Sequence, residues 1–231
     1  MGQPISPPVS ASLSNPILAA YLAAMPSRSR SAKPSRGSPP RLGKSAVSAL
    51  GDLSFSEGLA LRTGAAADIL APNLRLLFVA INPSPLSAAT LRPFSSPTNA
   101  FWRLLFVSGL TPMLITPDQS RRLLEFGCGL ISLAERATRL ASEVFHHERK
   151  DGAVRVREII RRVKPEVVAL LGPTIAPLFL DSHERTGVGW KTTRLEGSDA
   201  FVLPNPSGRN RAYPGFQHKL IWYQELAARW K

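Results

Sequence analysis

Residues 74–81 (LRLLFVAI) form a nearly continuous apolar run of strand length, the pattern of a strand covered on both faces. Over residues 98–108 (TNAFWRLLFVS) the apolar positions recur at helical spacing, with Thr98 or Asn99 placed to cap the start and Gly109 to stop it. A second helix is predicted over 154–163, halted by Pro165, because the residue before a proline is pushed out of the helical region. Residues 166–171 (EVVALL) read as a second buried strand, after which Gly172-Pro173 turns the chain into another helix. Residues 200–203 (AFVL) make a third strand, and Phe216, Leu220, Tyr223, Leu226 and Trp230 mark the core-facing stripe of a closing helix. Strands and helices alternating in this way predict an α/β fold around a mostly parallel sheet.

Ahead of these elements the pattern disappears. Residues 1–51 contain no Asp or Glu, while Arg28, Arg30, Lys33, Arg36, Arg41 and Lys44 sit among repeated Ser, Pro and Gly. Such a segment buries too little apolar surface to offset the entropy of ordering it. The expected division is a disordered basic arm over 1–65 and a folded domain over 66–231, with order beginning in the AADILAPN stretch at 66–73. The arm's composition fits a segment that scans along phosphates, an organelle transit peptide, or an inert tail.

Composition narrows the class. At 231 residues and 44% hydrophobic content the chain can bury one mid-sized core. Twenty-nine Lys and Arg against 16 Asp and Glu give a formal charge of +13, which favours a polyanionic partner such as nucleic acid. Cys128 is the single cysteine, which excludes an intramolecular disulfide, a cysteine zinc site and a Cys-ligated iron–sulfur cluster, and suits a reducing compartment. No stretch approaches the roughly 18–20 apolar residues that cross a bilayer, so no membrane partner is expected and the chain reads as intracellular.

Two strands end alike. LLFVAI runs into Asn82-Pro83-Ser84, and FVLP runs into Asn205-Pro206-Ser207-Gly208. Either loop alone is ordinary Asn-Pro turn chemistry. In a parallel sheet, however, both loops leave the carboxyl edge, where open α/β folds bind ligands, so the pair points to one cleft.

The wider sequence around these loops resembles a known family. AINPSPLSAATLRPFSSPTNAFW (80–102) is similar to the first motif of the mismatch-specific uracil/thymine-DNA glycosylases, GINPG followed at fixed spacing by PF and N-x-FW. VLPNPSGRNR (202–211) resembles their second motif, NPSG with a short basic stretch. CGLISLAERAT (128–138) and PEVVALLG (165–172) resemble the intervening segments in order, so the likeness spans about residues 67–231.

That resemblance implies a three-layer α/β/α sandwich with a narrow pocket for a nucleotide flipped out of double-stranded DNA. Asn82 matches the catalytic asparagine, Phe94 the aromatic that stacks on the base, Ile81 a position whose backbone lines the pocket, and Ser87 a small residue at the base's C5 edge. Asn99 and Trp102 support the pocket. Asn205, Ser207, Gly208, Arg209 and Arg211 match the loop that fills the gap in the duplex and contacts the widowed guanine. The implied substrates are DNA carrying G:U or G:T mismatches, with ethenocytosine as a further lesion, and the implied product is an abasic site, since neither motif places a lysine for a Schiff base. A monomer is expected.

Departures from the pattern bear on substrate breadth and rate. Ala80 replaces a Gly, Ser84-Pro85 replaces Gly-Leu, and Arg209 stands where bacterial relatives often have Leu. They keep an alternative open, a catalytically weak nucleic-acid-binding module on the same fold, as well as a related uracil hydrolase with another strand or base preference. His146, His147 and Glu148 are read as solvated surface, because adjacent helical residues face different ways. No GxGxxG or P-loop occurs, and no cofactor or metal is expected.

Overall fold

The computed structural model describes residues 68–229. The basic arm, Ala66 and Ala67 at the head of the AADILAPN start, Trp230 and Lys231 therefore lie outside the described residues. Among the described residues five strands form one sheet: β1 (Leu76–Ala80), β2 (Cys128–Ser132), β3 (Val167–Leu171), β4 (Gly189–Trp190) and β5 (Asp199–Leu203). Their spatial order is β2-β1-β3-β5-β4, with the first four parallel and β4 antiparallel to β5. Register pairs Leu76 with Cys128 and with Val167, and Val167 with Asp199, so the four parallel strands end level at one carboxyl edge.

Helices cover both faces because the strands are apolar on both. Successive strand side chains point to opposite faces. Leu77, Val79, Ile131, Val168, Leu170 and Val202 form one core cluster with Val156, Ile160 and Val163 of helix α3 (His146–Val163). On the opposite face, Phe78 meets the ring of Phe101 edge-on at 5.2 Å, on helix α2 (Phe101–Ser108). Helix α4 (Gln217–Ala228) packs beside α2 and against β5, burying Leu220, Tyr223 and Leu226. The architecture is the mixed α/β fold with a central, mostly parallel sheet that the sequence predicts.

A short helix, α1 (Pro85–Thr90), leads directly out of the first Asn-Pro loop. Ser84 caps it, its hydroxyl accepting from the Ser87 amide, and Pro85 occupies the first turn where its missing N–H costs nothing. The Ser84-Pro85 departure is thus a helix start. The cap position of α2 is Ala100, not the expected Thr98 or Asn99, and carries no side-chain cap; Asn99, one residue earlier, accepts from the Phe101 amide at 3.0 Å through Oδ1, and Gly109 closes the helix at φ 84°.

Three elements differ from expectation. Helix α3 begins at His146, about two turns before the predicted start, because Gly152 reads as a breaker but sits where the helix crosses Leu133. A Cβ there would lie 2.0 Å from the Leu133 carbonyl oxygen. After Gly172-Pro173 there is only a 3-10 turn, Ala176–Leu178, since Pro177 has no N–H to continue a helix. Strand β2 has no counterpart in the periodicity, being five residues interrupted by Gly129, and its pairing with β1 is what makes it a strand.

Candidate active site

Both Asn-Pro loops open into one cavity of about 390 Å³ at the carboxyl edge of the sheet. Ile81, Asn82, Ser87 and Phe94 line it from the first loop, and Asn205, Ser207 and Arg209 from the second. The two loops touch through the segment between them: the Ala100 amide donates to the Pro206 carbonyl at 3.1 Å. Gly208 lies against Thr98, where a Cβ would stand 2.8 Å from a backbone oxygen, so only glycine fits this approach. Gly208 and Arg211 are exposed and do not line the cavity.

A third loop, following β2, completes the wall. It runs beside the end of β1, with the Leu133 amide on the Ala80 carbonyl and the Ala134 amide on the Ile81 carbonyl. This alignment presents acceptors to Asn82. Its Nδ2 donates to the Arg136 carbonyl at 3.0 Å, to Thr138 Oγ1 at 2.8 Å and to the Pro83 carbonyl at 3.2 Å. Thr138 gives its own proton to the Leu140 carbonyl at 2.7 Å, so toward Asn82 it acts as an acceptor. Two carbonyls and an oriented hydroxyl therefore fix which end of the amide faces them, leaving Oδ1 as the end able to act elsewhere.

Phe94 is half-buried and sits at φ 53°, an uncommon backbone state for a bulky residue. Its ring rests on Phe101 at 4.1 Å and meets Trp102 edge-on at 6.5 Å. Trp102 in turn donates its indole N–H to the Pro93 carbonyl. Trp102 thus holds the segment that carries Phe94.

Ser87 is 3% exposed and its hydroxyl is not free. Thr90 donates to the Leu86 carbonyl, so it accepts from Ser95; Ser95 then accepts from Ser87, which accepts from Ser84. Four hydroxyls point one way along a chain beside the cavity.

The second loop is stiffened by side-chain turns. Asn205 Oδ1 accepts from the Ser207 amide, Ser207 Oγ from the Arg209 amide, and the Asn205 carbonyl from Asn210 Nδ2. Arg209 folds back over the rim and donates to the Arg139 carbonyl at 2.8 Å.

Charge in the cleft is sparse. Asp68 is the carboxylate among the described lining residues, and it is already paired with Arg155 at 2.8 Å and accepts from the Ser132 amide. Arg136 anchors the third loop through a two-pronged pair with Glu148, whose carboxyl the guanidinium holds down to about 2. No group of three or more His, Cys, Asp or Glu among the described residues is placed to hold a metal. Among the described residues the cleft has hydrogen-bonding amides and hydroxyls, an aromatic face and two arginines, but no uncommitted general base. It can orient a water and bind a planar ring.

A family model described as the Uracil DNA glycosylase superfamily matches residues 67–227. The chain belongs to that superfamily. Membership places this glycosylase among hydrolases that cleave bases from DNA, and the matched span takes in all five strands and all three cavity loops. What periodicity misses in the glycosylase cleft is the Arg136–Thr138 clamp. The one signal for it is position: a polar stretch leaving β2 at the same edge as the two Asn-Pro loops.

Proposed function

We propose that this cleft hydrolyses the bond between sugar and uracil, flipped out of a mismatch with guanine in double-stranded DNA, and leaves an abasic site. The observation that carries the reading is the clamp on Asn82 Nδ2 by Arg136, Thr138 and Pro83, which leaves Oδ1 to orient water in the cavity that Phe94 lines.

An amide has no basic lone pair near neutral pH, so Asn82 positions water rather than deprotonating it. The chemistry then depends on the substrate. Loss of a uracil anion leaves an oxocarbenium-like sugar that the neighbouring DNA phosphates stabilise, while amide donors in the pocket stabilise the departing base. Phe94 stacks on the everted base, a contact worth about 1–3 kcal/mol. Ile81 and Ser87 bound the pyrimidine, with Ser87 at its C5 edge. Asn205 and Ser207 shape the second loop, and Gly208, Arg209 and Arg211 enter the duplex once the nucleotide has left. To do so Arg209 exchanges the Arg139 carbonyl for DNA. Eversion costs least at a weak pair, which favours uracil opposite guanine. Thymine and ethenocytosine are the further substrates of this reading.

The test is a panel of labelled duplexes bearing U:G, U:A, T:G or ethenocytosine:G, incubated with protein and then cleaved with alkali. U:G is expected to be cut fastest. No cutting on any duplex, with salt-sensitive binding retained, would replace this reading with a binding module on the glycosylase fold.

A further inference from the structure

We propose that a second cleft, walled by Arg92, Arg121 and Ser120, grips a phosphate of the DNA strand whose base enters the cavity; DNA as the source of that phosphate rests on the glycosylase reading. The cleft encloses about 260 Å³ between the end of α1 and the 3-10 segment Pro117–Phe126 that leads into β2. Arg136, Arg155, Arg157 and Arg161 are each held by a carboxylate. Arg92 and Arg121 are not. Both are exposed, both line the cleft, and neither makes an ion pair or a hydrogen bond among the described residues.

Ser120 points to what the cleft takes. It is only 9% exposed and lines the cleft, yet its hydroxyl has no hydrogen-bond partner among the described residues. A buried hydroxyl left unpaired is costly, and a ligand oxygen that accepts from it removes the cost. Phosphate oxygens accept from a hydroxyl and from guanidinium groups alike. Leu91, 71% exposed at φ 54° where a bulky residue is an outlier, gives the cleft an apolar side together with Pro93, a surface suited to the sugar next to a phosphate. Asp118 also lines the cleft, exposed and without an ion pair among the described residues. Two guanidinium groups outweigh one carboxylate, but Asp118 repels an anion, so its neutralisation strengthens the binding of one.

Position ties this cleft to the cavity. Pro93 lines both. Thr90, on the cleft wall, accepts from Ser95, which accepts from Ser87 on the cavity wall. A strand that delivers a base to the cavity carries a negative phosphate at every nucleotide, so its path crosses the surface flanking the mouth. A phosphate held there fixes the strand's register without touching the bond that breaks. The contribution therefore falls on binding and its salt dependence rather than on the rate of the chemical step.

The experiment compares the full-length wild type with Arg92→Gln, Arg92→Lys, Arg121→Gln, Ser120→Ala and Asp118→Asn. Fluorescence anisotropy over a range of sodium chloride concentrations gives Kd on an uncut C:G duplex, and single-turnover cleavage at saturating protein gives the rate on the U:G duplex of the same sequence. Arg92→Gln and Arg121→Gln are each expected to bind about five- to ten-fold more weakly at low salt and to lower the slope of log Kd against log salt by about 1, with the U:G rate within about two-fold of wild type. Ser120→Ala is expected to bind about three-fold more weakly and Asp118→Asn about two-fold more tightly. Unchanged Kd and slope in both Gln variants, or weaker binding by Asp118→Asn, overturns the proposal. Arg92→Lys keeps the charge and most of the slope; behaviour like that of Arg92→Gln would assign Arg92 to packing and overturn its role. Inorganic phosphate, titrated against chloride at constant ionic strength, separates the sources: if it raises the Tm of wild type but not of the Gln variants, while all bind duplex alike, the cleft takes free phosphate and the strand assignment fails. If wild type leaves the U:G duplex uncut the glycosylase reading fails, and the salt slopes on the C:G duplex still decide the cleft.

Discussion

The Arg136 carbonyl accepts a hydrogen bond from Asn82 Nδ2 across 54 positions of sequence, joining the loop after β2 to the loop after β1. Because a carbonyl can only accept, this contact settles which way the Asn82 amide points. The remaining site chemistry depends on that orientation.

Asn82→Ala removes the oxygen proposed to orient water, together with the Nδ2 hydrogen bonds to Pro83, Arg136 and Thr138. Loss of one preorganised polar group of this kind costs roughly 10²–10³ in kcat. Single-turnover cleavage of a U:G duplex measures it, and wild-type rates in the variant would refute the role given to Asn82.

Thr138→Val keeps the shape of the side chain but removes both the acceptor for Asn82 and the donor to Leu140. With one hydrogen bond worth about 1 kcal/mol, kcat is expected to fall roughly five- to ten-fold with little change in KM. Thr138→Ser should restore most of it. A rise in KM alone would place Thr138 in binding rather than positioning.

Gly208→Ala places a methyl 2.8 Å from the Thr98 carbonyl oxygen, so the second loop must move. Overpacking of this sort costs about 1–3 kcal/mol, relieved in part by displacement of the exposed loop. The expected result is a lower kcat/KM on U:G duplex with only a small fall in Tm. An unchanged kcat/KM would show that loop position is not critical.

Glu148 is held at about 2, below its ordinary 4.5, first by the hydrogen bond from Arg136. A carboxyl with a lowered folded-state value stabilises the protein above pH 4.5, and that contribution is lost as pH falls toward 2. Glu148→Gln should therefore lower Tm at pH 7, and the difference from wild type should shrink below pH 4.5. A difference independent of pH would assign the effect to packing.

Sequence alone determined the strands read at 74–81, 166–171 and 200–203, which form at Leu76–Ala80, Val167–Leu171 and Asp199–Leu203, because side chains buried on both faces leave a nearly unbroken apolar run that no partner has to explain. It also determined that two Asn-Pro loops leave the same edge. Local signals failed where a partner decides the outcome. Strand β2 exists through its ladder with β1, the first two turns of α3 form despite Gly152 because Leu133 passes close beneath, and Pro177 limits the segment after β3. The cavity itself is tertiary. Asn82 is legible as a residue, but its orientation comes from Arg136 and Thr138, which a parallel crossover carries back to it from more than fifty positions away. Hydrogen-bond direction between distant loops leaves no periodic trace in a chain, since it depends on which strands lie side by side. Only the packed sheet decides that.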